Sequence, residues 1–221
     1  MQTPVGPARV LVDGPPVDRR CAATLVLGHG AGRGADARDL AALAQALPES
    51  GIAVVRVEQP WRAAGRRVAA PPRTLDIAWR AVLEDLRAAG DVHGPVVSGG
   101  RSAGARVACR TASDTGAAGV VALAFPLEPP GRRGGRPRSR LDELVAVPVP
   151  LLVVRGERDA FGGAARLETV AQGRWPVAAV PAADHGFAVL KRSGASEQEA
   201  LACVVDAVTS WLGTTVLPTA S

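Results

Sequence analysis

The chain is predicted to be an α/β protein, a three-layer α/β/α sandwich around a mostly parallel sheet. Three observations predict it. Strand-like and helix-like segments alternate along nearly the whole chain. The strand-like runs, such as Thr24-Leu25-Val26-Leu27 and Leu151-Leu152-Val153-Val154, are short and almost wholly apolar, as buried strands are. Gly100-Arg101-Ser102-Ala103-Gly104 lies between the apolar run Pro95-Val96-Val97 and the helix-compatible Ala105-Arg106-Val107-Ala108-Cys109, a strand, a sharp turn and a helix in succession. At 221 residues the chain reads as one domain with its core over about 8–213, large enough to fold without metals or disulfides.

The elements follow in order. Residues 8–12 form an early edge strand. Residues 24–27 are a buried strand running into the glycine turn Gly28-His29-Gly30-Ala31-Gly32-Arg33-Gly34. A helix over 36–47 puts Leu40, Leu43, Ala44 and Leu47 on one face. The next strand, 52–57, is broken by Pro60, and 62–73 is loop. Over 74–89 the apolar residues Leu75, Trp79, Val82, Leu83 and Leu86 recur at helical spacing. Strand 95–98 delivers the serine turn, and 119–125 is a further buried strand. Residues 126–139, rich in Pro, Gly and Arg, are an irregular loop. Strand 151–154, a helix over 163–172 and a last strand over 177–180 come next. Ser196 and Glu199 form an S-x-x-E capping box opening a final helix. Leu201, Val204, Val205, Val208 and Leu212 give that helix its apolar face, and Gly213 is its expected stop.

Composition excludes several classes. No apolar run approaches the roughly 20 residues of a membrane span. Met1-Gln2-Thr3-Pro4-Val5 carries no basic segment ahead of an apolar one, so a secretory leader is not expected and the cytoplasm is the expected compartment. Cys21, Cys109 and Cys203 are widely spaced and odd in number, and are read as reduced, buried thiols. The net charge of +5 invites a nucleic-acid partner. The cations argue otherwise: they are scattered arginines with Lys191 the sole lysine, and the chain has no Tyr and 3 Phe to stack on bases. The cluster Arg132-Arg133-Gly134-Gly135-Arg136-Pro137-Arg138-Ser139-Arg140 is read as solvated loop, with an anion-attracting rim as the lesser reading. Neither nucleic acid nor membrane is an expected partner, and nothing in the pattern specifies an oligomeric state.

Ser102, Asp159 and His185 each fall just after the C-terminal end of a predicted strand. In a parallel sheet those ends share one edge, where ligand clefts form. A serine hydroxyl needs a base to take its proton, an imidazole serves, and a carboxylate fixes the imidazole's tautomer. Each residue has an ordinary alternative, Ser102 as helix cap, Asp159 as turn former and His185 as loop histidine; their order and placement together favour chemistry. Asp184 and Glu157 are the reserve carboxylates, and Asp184 is disfavoured because it adjoins the histidine. An oxyanion would be met by the N–H groups of Ala103 and Ala31, with Gly30 or Gly32 as substitutes for the latter. Gly30, Gly32, Gly100 and Gly104 shape the two turns, and His29 braces the first of them or, as the lesser reading, acts as the base.

Gly30-Ala31-Gly32-Arg33-Gly34-Ala35 also satisfies G-x-G-x-x-A, with Glu58 ending the next strand, a dinucleotide-binding pattern. It is placed second because a strand precedes it and it leaves Ser102, Asp159 and His185 without a purpose. With Phe125-Pro126-Leu127, Pro129-Pro130-Gly131, Gly156-Glu157-Arg158-Asp159 and Asp184-His185-Gly186-Phe187, the motifs resemble those of small α/β-hydrolases over about 24–212. The branch is the dienelactone-hydrolase-like one, similar also to the hydrolase-like domain of a histone-acetyltransferase complex subunit. That resemblance implies an α/β-hydrolase fold with little or no lid. It also implies a triad of Ser102, Asp159 and His185, oxyanion donors at Ala31 and Ala103, a small acyl substrate, and neither cofactor nor metal. Two departures stand out. Ala103-Gly104-Ala105 replaces the Met-Gly-Gly common in relatives, and serine stands where dienelactone hydrolases carry cysteine, so dienelactone is not the expected substrate. The branch also holds members without shown catalysis, so a binding scaffold is the alternative. Arg101 and the loop arginines are read as solvated, with an anionic substrate as the lesser reading; Trp61 either lines the cleft or is buried.

Overall fold

Period-two patterning divides the central strands between the two faces of one sheet. The computed structural model describes residues 1–128 and 139–217. Its strands are β1 (Arg9–Asp13), β2 (Ala23–Gly28), β3 (Ile52–Glu58), β4 (Val96–Arg101), β5 (Gly119–Leu123), β6 (Leu151–Gly156) and β7 (Val177–Val180). They hydrogen-bond in the order β1-β3-β2-β4-β5-β6-β7. Only β1 runs antiparallel to its neighbour, pairing Arg9 with Glu58 and Asp13 with Val54; the other pairings are parallel.

Leu25, Leu27, Val121, Leu123, Leu152 and Val154 point to one face. There they pack under α1 (Arg38–Ala46) and α7 (Glu197–Thr215). The alternate residues Val26, Val55 and Val57 point to the opposite face and meet Leu75, Trp79, Val82 and Leu83 of α3 (Pro72–Ala89). On that same face Val120, Ala122, Leu151 and Val153 meet α4 (Ala103–Thr111), α5 (Leu141–Val145) and α6 (Ala164–Ala171). The result is three layers. Each fully buried Leu or Val contributes about 1.5–3 kcal/mol, so these two apolar layers, rather than the half-exposed ion pairs, hold the sheet in place.

Local signals explain where elements begin and end. The capping box of α7 is formed: the Glu199 N–H donates to Ser196 Oγ at 3.1 Å and the Ser196 N–H to Glu199 Oε2 at 2.6 Å. Gly213 does not stop that helix, which runs to Thr215; glycine weakens a helix without obliging it to end. Pro60 opens a short helix, α2 (Pro60–Ala63), rather than merely ending β3, since proline suits a first helical turn. Pro72 likewise opens α3 two residues before the predicted start. The five-residue α5 was not predicted, being too short to show a period. The predicted loop 126–139 lies largely outside the described residues. Cys109 is buried as expected, but Cys21 is half-buried and Cys203 is exposed. Ala200, Val204, Val208, Trp211 and Leu212 take the inward stripe of α7, which leaves Cys203 on the other side. Among the described residues no helix is long and apolar enough to cross a membrane.

One consequence governs the site. Because six strands are parallel, Gly28, Glu58, Arg101, Leu123, Gly156 and Val180 all end on one edge of the sheet. Among the described residues no helical lid is inserted over that edge.

Candidate active site

The serine turn is built by close backbone approach. Ser102 has φ 53° and ψ −106°, a conformation L-residues rarely adopt, and holding it costs on the order of 1–3 kcal/mol. Its N–H donates to the Leu123 carbonyl of β5 at 2.9 Å, which fixes the turn against the sheet. Glycine is required on both sides of it. A Cβ on Gly100, at φ 155°, would stand 2.4 Å from the Gly28 carbonyl oxygen, and one on Gly104 would stand 2.2 Å from the same atom. Strand β2, strand β4 and helix α4 therefore meet backbone to backbone, and the serine side chain is left half-exposed at the edge.

A chain of hydrogen bonds leads from it. Ser102 Oγ and His185 Nε2 are 3.0 Å apart, and His185 Nδ1 and Asp159 Oδ2 are 2.8 Å apart. An ionised carboxylate only accepts, so Nδ1–H donates to Asp159 and Nε2 is left to accept from the serine hydroxyl. Asp159 is buried and well partnered: its Oδ1 accepts the Phe161 N–H at 2.9 Å and lies 3.1 Å from Arg155 Nη2. Arg155, itself fully buried, also donates to the Phe125 carbonyl. Burial pulls the Arg155 pKa down while Asp159 pulls it up. Phe161 tilts over the imidazole, ring centroids 4.4 Å apart. The reserve carboxylates are employed elsewhere. Asp184 Oδ1 accepts from Gly186 and Ala188, closing the histidine turn, and Glu157 accepts from Ala182.

On the other side of the serine lies the glycine turn after β2. His29 is 3% exposed, and both its ring nitrogens are committed. Nδ1–H donates to the Gly30 carbonyl at 2.7 Å, and Nε2 accepts the Gln59 backbone N–H at 3.1 Å. Burial lowers the His29 pKa, with Glu58 and the Gly30 hydrogen bond opposing. This histidine braces the turn and is not aimed at the serine. Trp61 is buried against it, with ring centroids 5.5 Å apart. The same tryptophan walls a cavity of about 220 Å³ with Val5, Pro7, Gln59 and Pro60, and no member of the Ser102–His185–Asp159 chain lines it. Gly30 itself is pressed close: a Cβ there would stand 3.1 Å from Arg101 Nη1 and 3.4 Å from Ser102 Cβ. Ala31 and Gly32 are exposed at the edge. Ala103 is the first residue of α4, so its N–H has no partner within the helix.

Arg101 departs from the solvated reading. Its side chain is 11% exposed and turns inward, with Nη2 donating to the His185 carbonyl at 2.9 Å and Nε 3.3 Å from Asp39 Oδ2. The dinucleotide pattern fares no better. Glu58 is paired with Arg9 at 3.1 Å, and α1 begins at Arg38, well past the glycines that would need to meet its N-terminus. Sequence reasoning missed Arg155, Phe161, Asp39 and Gln59. Arg155 carried a signal, a lone charge in the apolar run Leu151-Leu152-Val153-Val154, four residues before Asp159. The other three gave none: the side chains of Asp39 and Gln59 meet partners remote in sequence, and the Phe161 ring meets His185, 24 residues on. Among the described residues no three His, Cys, Asp or Glu side chains gather as a metal would require.

The family model for an alpha/beta hydrolase domain matches residues 21–213. The chain belongs to the α/β hydrolase family. Solved structures share its fold at low identity. An α-β serine hydrolase homologue from Coxiella burnetii is 18% identical, with TM-score 0.72 over 93% of this chain and 94% of that one. A lidless α/β serine hydrolase from Xanthomonas campestris is 21% identical, with TM-score 0.70 over 100% and 94%. Dienelactone hydrolase from Anabaena variabilis is 16% identical, with TM-score 0.68 over 99% and 97%. No curated protein sequence matches the chain.

Proposed function

We propose that this α/β hydrolase is a serine hydrolase that cleaves a carboxylic ester or related acyl bond through an acyl-enzyme on Ser102. The observation that carries the reading is the pair of contacts linking Ser102 Oγ to His185 at 3.0 Å and His185 to Asp159 at 2.8 Å. Ser102 Oγ attacks the acyl carbon while His185 Nε2 takes its proton. Asp159 holds the imidazole's orientation and faces the imidazolium that forms, its own charge matched by Arg155. The oxyanion is received by the Ala103 N–H, at the positive end of α4, and by the Ala31 N–H of the glycine turn. His185 then gives its proton to the leaving alcohol. In the second half it takes a proton from water, which attacks the acyl carbon, and returns that proton to Ser102 Oγ as the acyl–oxygen bond breaks and the acid leaves. Every bond made or broken is accounted for by these groups and water, and the half-exposed serine, at an edge over which the described residues insert no helical lid, suits a small acyl substrate. The test is direct. Wild type should hydrolyse short p-nitrophenyl esters and be labelled by a fluorophosphonate, and Ser102→Ala should lose both while melting at an unchanged temperature. Turnover retained in Ser102→Ala overturns the assignment; a folded wild type inert to esters and probe alike points to a binding scaffold.

A further inference from the structure

We infer that Arg101 is a positioning residue, a two-armed guanidinium that holds the backbone of the His185 turn at a set distance from the serine and the glycine turn. The inference rests on the serine-hydrolase reading and adds the residue that joins the two halves of the site. Arg101 precedes Ser102 directly, at the end of β4. One arm, Nη2, donates 2.9 Å to the carbonyl oxygen of His185 itself. The other, Nε, faces Asp39 Oδ2 at 3.3 Å in the first turn of α1, the helix that follows the glycine turn. The third nitrogen, Nη1, lies against Gly30, where an added Cβ would stand 3.1 Å away. A Cβ on Gly186 would stand 3.5 Å from Nη2. One side chain therefore touches the glycine turn, the helix behind it and the histidine turn.

The chemistry requires arginine. One edge of a rigid plane donates to the His185 carbonyl while Nε pairs with the Asp39 carboxylate across 3.3 Å, a spread that the single ammonium of lysine does not reproduce. Nη2 is engaged by the His185 carbonyl and Nε lies beside the Asp39 carboxylate, so two of the three nitrogens already face protein acceptors. Asp39 is 2% exposed, and burial raises its pKa while Arg101 opposes the shift. The carboxylate sits in the first turn of α1, where the backbone N–H groups of Asp39 and Leu40 also favour its charge, and Arg101 is the cation it faces. Asp159 orients the His185 ring about its own axis. Arg101 acts one bond further back, on the main chain that carries the ring, and so sets how far Nε2 stands from Oγ.

The experiment compares wild type with Arg101→Lys, Arg101→Met and Asp39→Asn. Misplacement of a reacting group by about 1 Å costs on the order of 10²-fold in rate. Arg101→Lys and Arg101→Met should lower kcat on p-nitrophenyl acetate by roughly 10- to 100-fold with KM within about 2-fold, and should slow fluorophosphonate labelling in parallel. Asp39→Asn, which keeps the arm to His185, should fall between them and wild type. Amide hydrogen exchange over 183–188 should speed up in the Arg101 variants. Folded Arg101 variants with wild-type kcat and unchanged exchange there overturn the inference, and so does a raised KM at unchanged kcat, which would make Arg101 a substrate contact. If wild type itself neither turns over esters nor takes the probe, the serine-hydrolase reading fails, and the exchange measurement still decides whether Arg101 holds the histidine turn.

Discussion

His29 and His185 stand on either side of the same serine, each in a turn after a parallel strand, and they have become chemically different residues. His29 is buried, and its two nitrogens are spent on main-chain groups, the Gly30 carbonyl and the Gln59 N–H. His185 keeps 23% of its side chain exposed and spends its nitrogens on two side chains, a carboxylate and a hydroxyl. A histidine's role is set by what occupies its second nitrogen. Where that partner is an amide N–H, as at His29, the ring must stay neutral, because protonation would set two donors against each other. Where the partner is a hydroxyl, the same nitrogen is free to accept a proton as the hydroxyl attacks.

The largest separation between the two should come from deletion. His185→Ala is expected to lower kcat/KM on p-nitrophenyl acetate by at least about 10⁴-fold with little change in melting temperature. A His29→Ala loss of similar size would break the contrast and make His29 a participant in the chemistry. Next comes the mounting of His185. A Cβ on Gly156 would stand 2.4 Å from the Ala183 carbonyl oxygen and 2.5 Å from that of Asp184, so Gly156→Ala must push the histidine turn outward. Activity should drop on the order of 10²-fold, and the variant should melt lower by the equivalent of about 1–3 kcal/mol. Wild-type kinetics in a folded Gly156→Ala would show that the turn's seat on β6 does not set the imidazole's position.

His29→Ala itself should act mainly on stability. It leaves the buried Gln59 N–H without an acceptor, a loss of about 1–3 kcal/mol measurable by urea unfolding, while Ser102 stays reactive to the fluorophosphonate. The smallest effect is one of pH. The folded-state pKa of His29 lies below its ordinary value of 6.5, so below that pH the unfolded chain binds a proton that the folded one refuses. Stability from this residue is complete above pH 6.5 and is lost as pH falls towards the folded pKa. Melting temperature should therefore fall less between pH 7 and pH 5 in His29→Gln, which keeps an acceptor but does not titrate, than in wild type. Equal slopes would show that His29 binds its proton alike in the folded and unfolded chain.

Much of this was legible beforehand, and the reason is local. The strands show because apolar runs bounded by Gly and Pro state their own burial, and the turn at Ser102 shows because G-x-S-x-G stands between an apolar run and a helix-compatible one. The order of Ser102, Asp159 and His185 along a parallel α/β chain is enough to bring them to one edge, since parallel strands all end on the same side. The approach of their side chains to 3.0 and 2.8 Å is a property of the folded turns. Arg101 shows the limit. From sequence it is one more arginine among many in an arginine-rich chain; in the fold its partners are Asp39, 62 residues before it, and the His185 carbonyl, 84 residues after it.

Sequence alone determined the alternation of elements, the glycines that permit close approach and the reactive residue types at strand ends, all of which depend on neighbours a few residues away. Tertiary structure alone decided which main-chain groups hold His29, that Cys203 looks outward, and that Arg155 and Arg101 turn inward. Those outcomes depend on which acceptors distant segments bring within about 3 Å, and hydrogen bonds and ion pairs act only at that range.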